Sequence, residues 1–264
     1  MDLQLKGKRV LVTGSTAGIG YAIAGTLARE GAAVVVNGRT QARVDEALGR
    51  LKSELPGANV TGLAADLSRS PGIAQCLQAV PDVDILVNNL GQYELKPFEQ
   101  ISDEDWMKLI ETNFMSGVRL SRQYLPAMKK RNWGRIIFIS SESAVNIPAE
   151  MIHYGVTKTM QVALARGLAE TLAGTGVTVN SILPGPTRSE GVEKFVDQIA
   201  AAKQIRPQDV EKEFFKTMRP GSLLQRFATP EEVAALVAFV ASPLSSATSG
   251  AALRVEGGVV RSIL

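Results

Sequence analysis

The 264-residue chain holds one cysteine, Cys76, and one histidine, His153. A lone cysteine cannot close an internal disulfide, and so few His and Cys leave no cluster to bind a zinc ion. No apolar run reaches the roughly 18 residues that a bilayer span needs. The first residues, MDLQLKGKRV, lack the long apolar core of a signal peptide. The expectation is a reducing cytoplasm, with no membrane partner and no bound metal. An excess of one charge is also missing. The formal net charge is +3 and the pI near 9.0, from Lys and Arg spread along the chain with one modest cluster, KKRNWGR, at 129–135. Nucleic-acid binding needs a denser basic footprint, so no such partner is expected. Internal repeats, low-complexity tracts and linkers rich in Pro, Gly or Ser are absent as well, which leaves no seam between domains.

What the chain does contain is alternation. The runs RVLVT, AAVVVN, NVTGLAAD, DILVNN, RIIFISS, VTVNSIL and ALRVEGG are each β-rich, and helical stretches separate them. Strands alternating with helices predict βαβ units and a parallel sheet covered on both faces. The near-continuous Val, Ile and Leu suits strands buried on two sides. The expected fold is therefore α/β, a doubly wound Rossmann sheet of about seven strands in one domain over residues 1–264. The exception lies between Pro184 and Phe227, where roughly forty residues hold helical stretches but no strand, longer than a normal connection. Val192, Phe195, Val196 and Ile199 form an apolar helical face there. That face predicts a substrate lid at 187–227 folding over a ligand with an apolar part. The insert ends at ATPEEVAALVAFV, where Thr229 caps a helix, Pro230 suits its first position, and Glu231 and Glu232 complement its dipole.

The first strand runs into TGSTAGIG, with glycines at 14, 18 and 20, and then into the apolar helix YAIAGTLARE. Glycine lets the backbone approach a pyrophosphate, and the helix N-terminus supplies free N–H groups. Gly14, Ser15, Thr16, Gly18, Ile19 and Gly20 are thus candidate dinucleotide-binding residues. At the end of the second strand, VVVNGRT places Asn37 and Arg39 with no carboxylate before Asp45. A basic side chain here accommodates a 2′-phosphate, whereas an acidic one bonds a ribose 2′-OH. The reading is NADP(H), with Arg39 as the phosphate clamp, Asn37 or Thr40 as helpers, and NAD(H) as the lesser alternative.

In HYGVTK, Tyr154 and Lys158 stand four apart, so they are neighbours on one face of a helix. With the glycine spacing and this YxxxK pair, the sequence resembles the short-chain dehydrogenase/reductase family in its compact one-domain form. Further motifs follow in that family's order: NNLG at 88–91, an asparagine at 113 in ETNFMSG, ISSES at 139–143, and PGPT at 184–187. The resemblance implies a tetrad of Asn113, Ser141, Tyr154 and Lys158, Ser141 being favoured over Ser140 or Ser143 because it lies 13 positions before the tyrosine. It also implies cofactor contacts from Asp66 and Leu67 at the adenine, Asn88 and Gly91 on the floor, and Pro184, Gly185 and Thr187 at the carboxamide, besides Tyr154 and Lys158. Ser143, Val192, Phe195 and Val196 are the candidate substrate contacts. Asp66 has a second reading as a helix cap, and Asn88 and Asn89 as turn residues. His153 projects about 100° away from Tyr154 around the helix, which favours a structural or substrate-rim role. Leu90 stands where the family more often has Ala, and Glu256 where Asp is common.

A carbonyl reductase must put a hydride on carbon and a proton on the oxygen. Tyrosine, with a free pKa of roughly 10, needs help to cycle near neutrality, and a cationic lysine beside it supplies that help. Ser141 can donate to the same carbonyl oxygen. The resulting expectation is an NADP(H)-dependent oxidoreductase that interconverts a small-molecule ketone and a secondary alcohol, with Tyr154 as acid and base. A 3-oxoacyl-thioester reductase acting on acyl carrier protein or CoA is the alternative within that class. The KKRNWGR cluster resembles the basic patch that docks the carrier, although Thr175 replaces a second docking arginine. A non-catalytic NADPH-binding regulator is the alternative of another class. The resemblance further implies a homo-oligomer, a tetramer or a dimer, built through the middle and late helices.

Overall fold

The computed structural model describes residues 1–263, with the side chains of Lys194, Phe195, Ile199 and Lys203 outside the described part. All seven runs read as strands form strands: β1 (Arg9–Val12), β2 (Ala33–Gly38), β3 (Val60–Ala64), β4 (Ile85–Asn88), β5 (Gly134–Ile139), β6 (Val177–Pro184) and β7 (Ala252–Val255). They make one parallel sheet in the order β3-β2-β1-β4-β5-β6-β7. Successive side chains of a strand face opposite ways, so the apolar runs feed two cores. Val10 and Val12 pack with α1 (Gly18–Arg29), α2 (Gln41–Glu54) and α9 (Pro230–Ala241) through Ile23, Leu27, Leu51, Val233 and Val237. Leu11, between them, joins the core of α3 (Ser70–Ala79), α5 (Ser116–Lys130) and α6 (Ile152–Glu170) with Cys76, Leu120, Tyr124 and Ala165. Strand order reverses at β1, which has β2 on one side and β4 on the other. The crevice outside the carboxyl ends of such strands is where open α/β sheets bind ligands.

The remaining helices are α4 (Asp103–Leu109), α7 (Glu190–Lys203) and α8 (Pro207–Thr217). The last two occupy the segment expected to form a lid, but their apolar face is directed elsewhere than expected. Val196 is buried with Ala200, Val210, Phe215 and Phe227, and Val192 packs against the same cluster. The insert thus has a core of its own, three of whose phenylalanine rings, 214, 215 and 227, lie 5.1–5.2 Å apart. Val192 and Val196 hold α7 to α8, and the substrate contact expected of Phe195 lies outside the described residues. The neck of the insert is pinned where Thr187 bridges Ala228 and Arg188 pairs with Glu211. Beyond it Thr229 forms the predicted cap, its Oγ1 accepting from the Glu232 N–H at 3.3 Å while Glu232 Oε2 accepts from the Thr229 N–H at 2.8 Å.

The basic cluster at 129–135 is not an open patch. Arg131 pairs with Asp82 at 2.8 Å and donates to the Trp133 and Val83 carbonyls. Arg135 is buried under Trp133 and donates to the carbonyls of Gly134, Gly176 and Ser242. Only Lys129 and Lys130 of its charged residues remain exposed.

Candidate active site

The glycine loop sits at the carboxyl end of β1. Gly14 and Gly18 have φ of +59° and +56°, left-handed conformations that favour glycine. A Cβ added at Gly20 would come within 2.4 Å of Asn89 Nδ2 and 2.5 Å of the Gly14 carbonyl. Ala17 at the cap of α1 offers no side-chain acceptor, so the first N–H groups of that helix are left for an outside partner. The polar side chains nearby hold the loop rather than face a ligand. Ser15 donates to the Val12 carbonyl at 2.6 Å and accepts from the Asn37 N–H at 2.9 Å. Asn37 accepts from the Gly14 N–H at 3.1 Å and donates to the Leu63 and Ala65 carbonyls, both at 3.1 Å. Asn37, with its amide fully engaged and 2% exposed, is therefore a brace of the loop and not a helper at the phosphate.

Arg39 and Thr40 are exposed at the end of β2, and Arg39 has no ion-pair partner among the described residues. Asp45, the nearest carboxylate after it, accepts from Gln41 at 2.8 Å. At the end of β3 the Asp66 carboxylate accepts from the N–H and hydroxyl of Ser68 at 3.1 and 2.6 Å. The cap of α3 is Arg69, which removes the capping alternative for Asp66. Leu67, expected beside it at the adenine, is instead a buried core side chain. After β4, Asn88 donates to Ser121 at 3.3 Å. Its neighbour Asn89, given only as a turn residue, donates to the Thr13 and Gly14 carbonyls at 3.0 and 2.9 Å and so ties β4 to the glycine loop. Leu90 closes over Gly14, its Cα 3.3 Å from where a Gly14 Cβ would be, and leaves the strand end intact.

The four tetrad residues come from three elements and converge. Ser141 follows β5, Tyr154 and Lys158 lie on α6, and Asn113 lies in a π-helical turn, Ile110–Met115, between α4 and α5. Asn113 accepts from the Gln92 N–H at 2.8 Å and donates to the Gln92 carbonyl at 2.9 Å and to Thr157 at 3.0 Å. The Lys158 amine donates to the Ile139 carbonyl at 2.9 Å and lies 5.6 Å from the centre of the Tyr154 ring. A Cβ at Gly91 would stand 3.3 Å from that amine, a tight contact. The Ser143 N–H donates to Ser141 Oγ at 3.1 Å. Ser143, a candidate substrate contact, thus positions Ser141 through its main-chain N–H. Ser140 donates to the Lys158 carbonyl at 2.8 Å and so ties the end of β5 to α6.

Burial moves the two titrating groups in opposite directions. It pushes the Tyr154 phenol up to about 12, opposed by a hydrogen bond with Ser141, and it pulls the Lys158 amine down to about 7. Each shift favours the neutral form, as low dielectric demands. His153 is 0% exposed and stacks edge-on to Trp106 at 5.9 Å. It is structural rather than part of a substrate rim. The neighbour of Tyr154 that sequence reasoning missed is Tyr93, an exposed ring lying edge-on to Tyr154 at 6.2 Å. In the PGPT segment the Thr187 hydroxyl donates to the Gly185 carbonyl at 2.9 Å, and Gly185 passes so close to Glu256 that a Cβ would meet its carbonyl at 2.5 Å.

This geometry has known counterparts. The short chain dehydrogenase family model matches residues 8–200. The chain belongs to that family. The protein is an NAD(P)-dependent oxidoreductase. It is 49% identical, over the full length of both chains, to the uncharacterized oxidoreductase YvaG of Bacillus subtilis strain 168. It is 34% identical to D-beta-hydroxybutyrate dehydrogenase of Cupriavidus necator, across 97% of this chain and 99% of that one. Among solved structures it is similar to L-sorbose reductase from Gluconobacter frateurii complexed with NADPH and L-sorbose, with a TM-score of 0.93 and 30% identity over the whole of both chains.

Proposed function

We propose that this short-chain dehydrogenase reduces a free ketone to a secondary alcohol with NADPH. The observation that carries the reading is the closeness of the Ser141 and Tyr154 hydroxyls, within hydrogen-bond reach of each other. Ser141 Oγ accepts from the Ser143 N–H beside the Tyr154 phenol, and Lys158 stands behind that phenol. Ser141 then stabilises negative charge on the carbonyl oxygen while Tyr154 delivers its proton there. Lys158, when protonated, favours the phenolate left behind. The cradle fits a dinucleotide: Gly14 and Gly18 hold left-handed turns, Gly20 lets the loop pack tightly on α1, and the uncapped start of α1 presents N–H groups to phosphate. Gly14, Gly18, Gly20 and Asp66 would hold the nucleotide, with Lys158 and the PGPT segment at its other end. When bound, the nicotinamide supplies the hydride.

NADP(H) is favoured over NAD(H) by Arg39, which is exposed and uncommitted where no carboxylate competes for the ribose. The bound NADPH of the sorbose reductase supports the same choice. An apolar substrate loses its support because Val192 and Val196 face the insert's own core. Docking of acyl carrier protein loses its support as well, since Arg131 and Arg135 are occupied by carbonyls and Asp82. A regulator that only senses NADPH has no use for the Ser143–Ser141 contact. The insert of α7 and α8 serves as the cover of the substrate side, and Tyr93 forms its rim.

The test is NADPH oxidation with acetoacetate, L-sorbose, diketones, cyclic ketones and acetoacetyl-CoA. A Tyr154→Phe control is expected to retain NADPH binding and lose about 100-fold or more in kcat. Turnover only of acetoacetyl-CoA would move the protein to the thioester class. Silence across the panel with tight NADPH binding would favour the regulator.

A further inference from the structure

Gln161 lies three residues after Lys158 on α6 and is 1% exposed. Its Oε1 accepts from the Lys158 amine at 3.3 Å, and its Nε2 donates to the main-chain carbonyl of Asn113 at 2.5 Å. The orientation of the amide is forced, because an ammonium can only donate and a carbonyl can only accept. The acceptor lies in the π-helical turn Ile110–Met115, the kind of widened turn where a side chain can enter the helical ladder. One side chain therefore joins two members of the tetrad that are 45 positions apart in sequence.

Few other groups compete for the amine. From α6 the titratable neighbour is Tyr154, with its ring centre at 5.6 Å. From β5 the Ile139 carbonyl accepts at 2.9 Å. From the loop after β4, Gly91 approaches closely, and beyond it stands the neutral Asn113 amide. No carboxylate pairs with Lys158 among the described residues, and burial alone lowers its amine. The charge on Lys158 thus depends on two fixed acceptors, Ile139 O and Gln161 Oε1.

We propose that Gln161 is a positioning residue of the proton-transfer site, its amide bridging Lys158 to the Asn113 carbonyl and holding the amine charged and in place behind Tyr154. The proposal rests on the reading of Tyr154 and Lys158 as the proton-transfer pair. A bound water in that place would exchange with solvent, whereas a side chain on the same helix stays at a fixed distance from the amine.

The test uses the full chain labelled with [13Cε]lysine, the Lys158 signal being assigned by its loss in Lys158→Arg. In Gln161→Leu the titration midpoint of Lys158 is expected to fall by about one pH unit, since one of two acceptors is lost. In Gln161→Glu it is expected to rise, because a carboxylate then faces the amine. The pH limb of kcat for ketone reduction should move in the same direction in each variant. An unmoved midpoint overturns the proposal, and if Gln161→Leu does not fold, Gln161→Glu decides by itself. Shifted midpoints in a protein that turns over no ketone would sustain the bridge and remove the reductase reading. Turnover that Tyr154→Phe abolishes, with midpoints unmoved, would do the reverse.

Discussion

Tyr154 and Lys158 are neighbours on one helix, yet burial drives one pKa up and the other down. The lysine has a consequence for stability that can be measured. Its folded pKa of about 7 lies below its ordinary 10.5, so between those values the unfolded chain binds a proton that the folded chain lacks. Stability then rises with pH across that window. Unfolding in urea at pH 7 and pH 9 is expected to show a larger gain for the native protein than for Lys158→Met, by about 2 kcal/mol. Equal gains would mean that the amine titrates normally. At the other end of the site, Arg39→Ala is expected to raise the KM for NADPH about 10-fold and leave that for NADH nearly unchanged, since a charge-assisted hydrogen bond to the 2′-phosphate would be lost. A parallel rise for both cofactors would take Arg39 off the phosphate.

Among the elements, the β1–α1 loop and the α7–α8 insert follow different logic. The loop is a close fit of backbone to side chains, with Asn37, Ser15 and Asn89 all braced against it. Gly20→Ala places a methyl within 2.5 Å of the Gly14 carbonyl and should lower NADPH affinity more than about 10-fold, read by nucleotide fluorescence. The insert holds together through Phe214, Phe215 and Phe227. Truncating Phe215 to Ala removes a buried ring, a change that costs about 3–5 kcal/mol in a core. The expected result is protease cleavage within α7 or α8, a raised KM for the ketone and unchanged NADPH affinity. Loss of NADPH binding instead would show that the insert supports the whole sheet.

At the scale of the molecule, one buried cation joins the insert to the catalytic turn. Arg219, just after α8, donates to Glu142 at 2.8 Å and to Glu150 at 3.2 Å, and Glu142 is the residue after Ser141. Removing one partner of a buried pair leaves the other charged and unpaired, at a cost of about 3–5 kcal/mol. Arg219→Leu should therefore lower the urea midpoint sharply, and adding Glu142→Gln should recover part of it. A variant as stable as the parent would show that water replaces the pair. A test of self-association belongs to the same scale. Val118, Leu125, Pro126, Leu164 and Leu168 line an apolar groove between α5 and α6; if subunits meet through these helices, Leu164→Glu is expected to lower the sedimenting mass, and an unchanged mass would take the groove out of any subunit contact.

Seven strands, the tight turn of the glycine loop and the cap at Thr229 were legible in the sequence, because each is a local pattern. Two-sided burial shows as a β-branched run, a turn as glycine at set spacing, and a shared helix face as residues four apart. The partners of polar and apolar side chains across the chain were not legible. Val196 reads as an exposed apolar stripe until α8 is laid against it, Arg131 as a basic patch until Asp82 arrives, and Asn37 as a ligand contact until Leu63 and Ala65 take its amide. Gln161 stood on the right helix face at the right interval, but its second partner is 48 positions away and only packing brings the two together. The sequence by itself determined the order of elements and the chemical groups of the site, since these follow from local periodicity and residue type. The tertiary structure decided which of those groups face a ligand and which brace one another, since a buried donor or acceptor takes whatever partner the fold sets beside it.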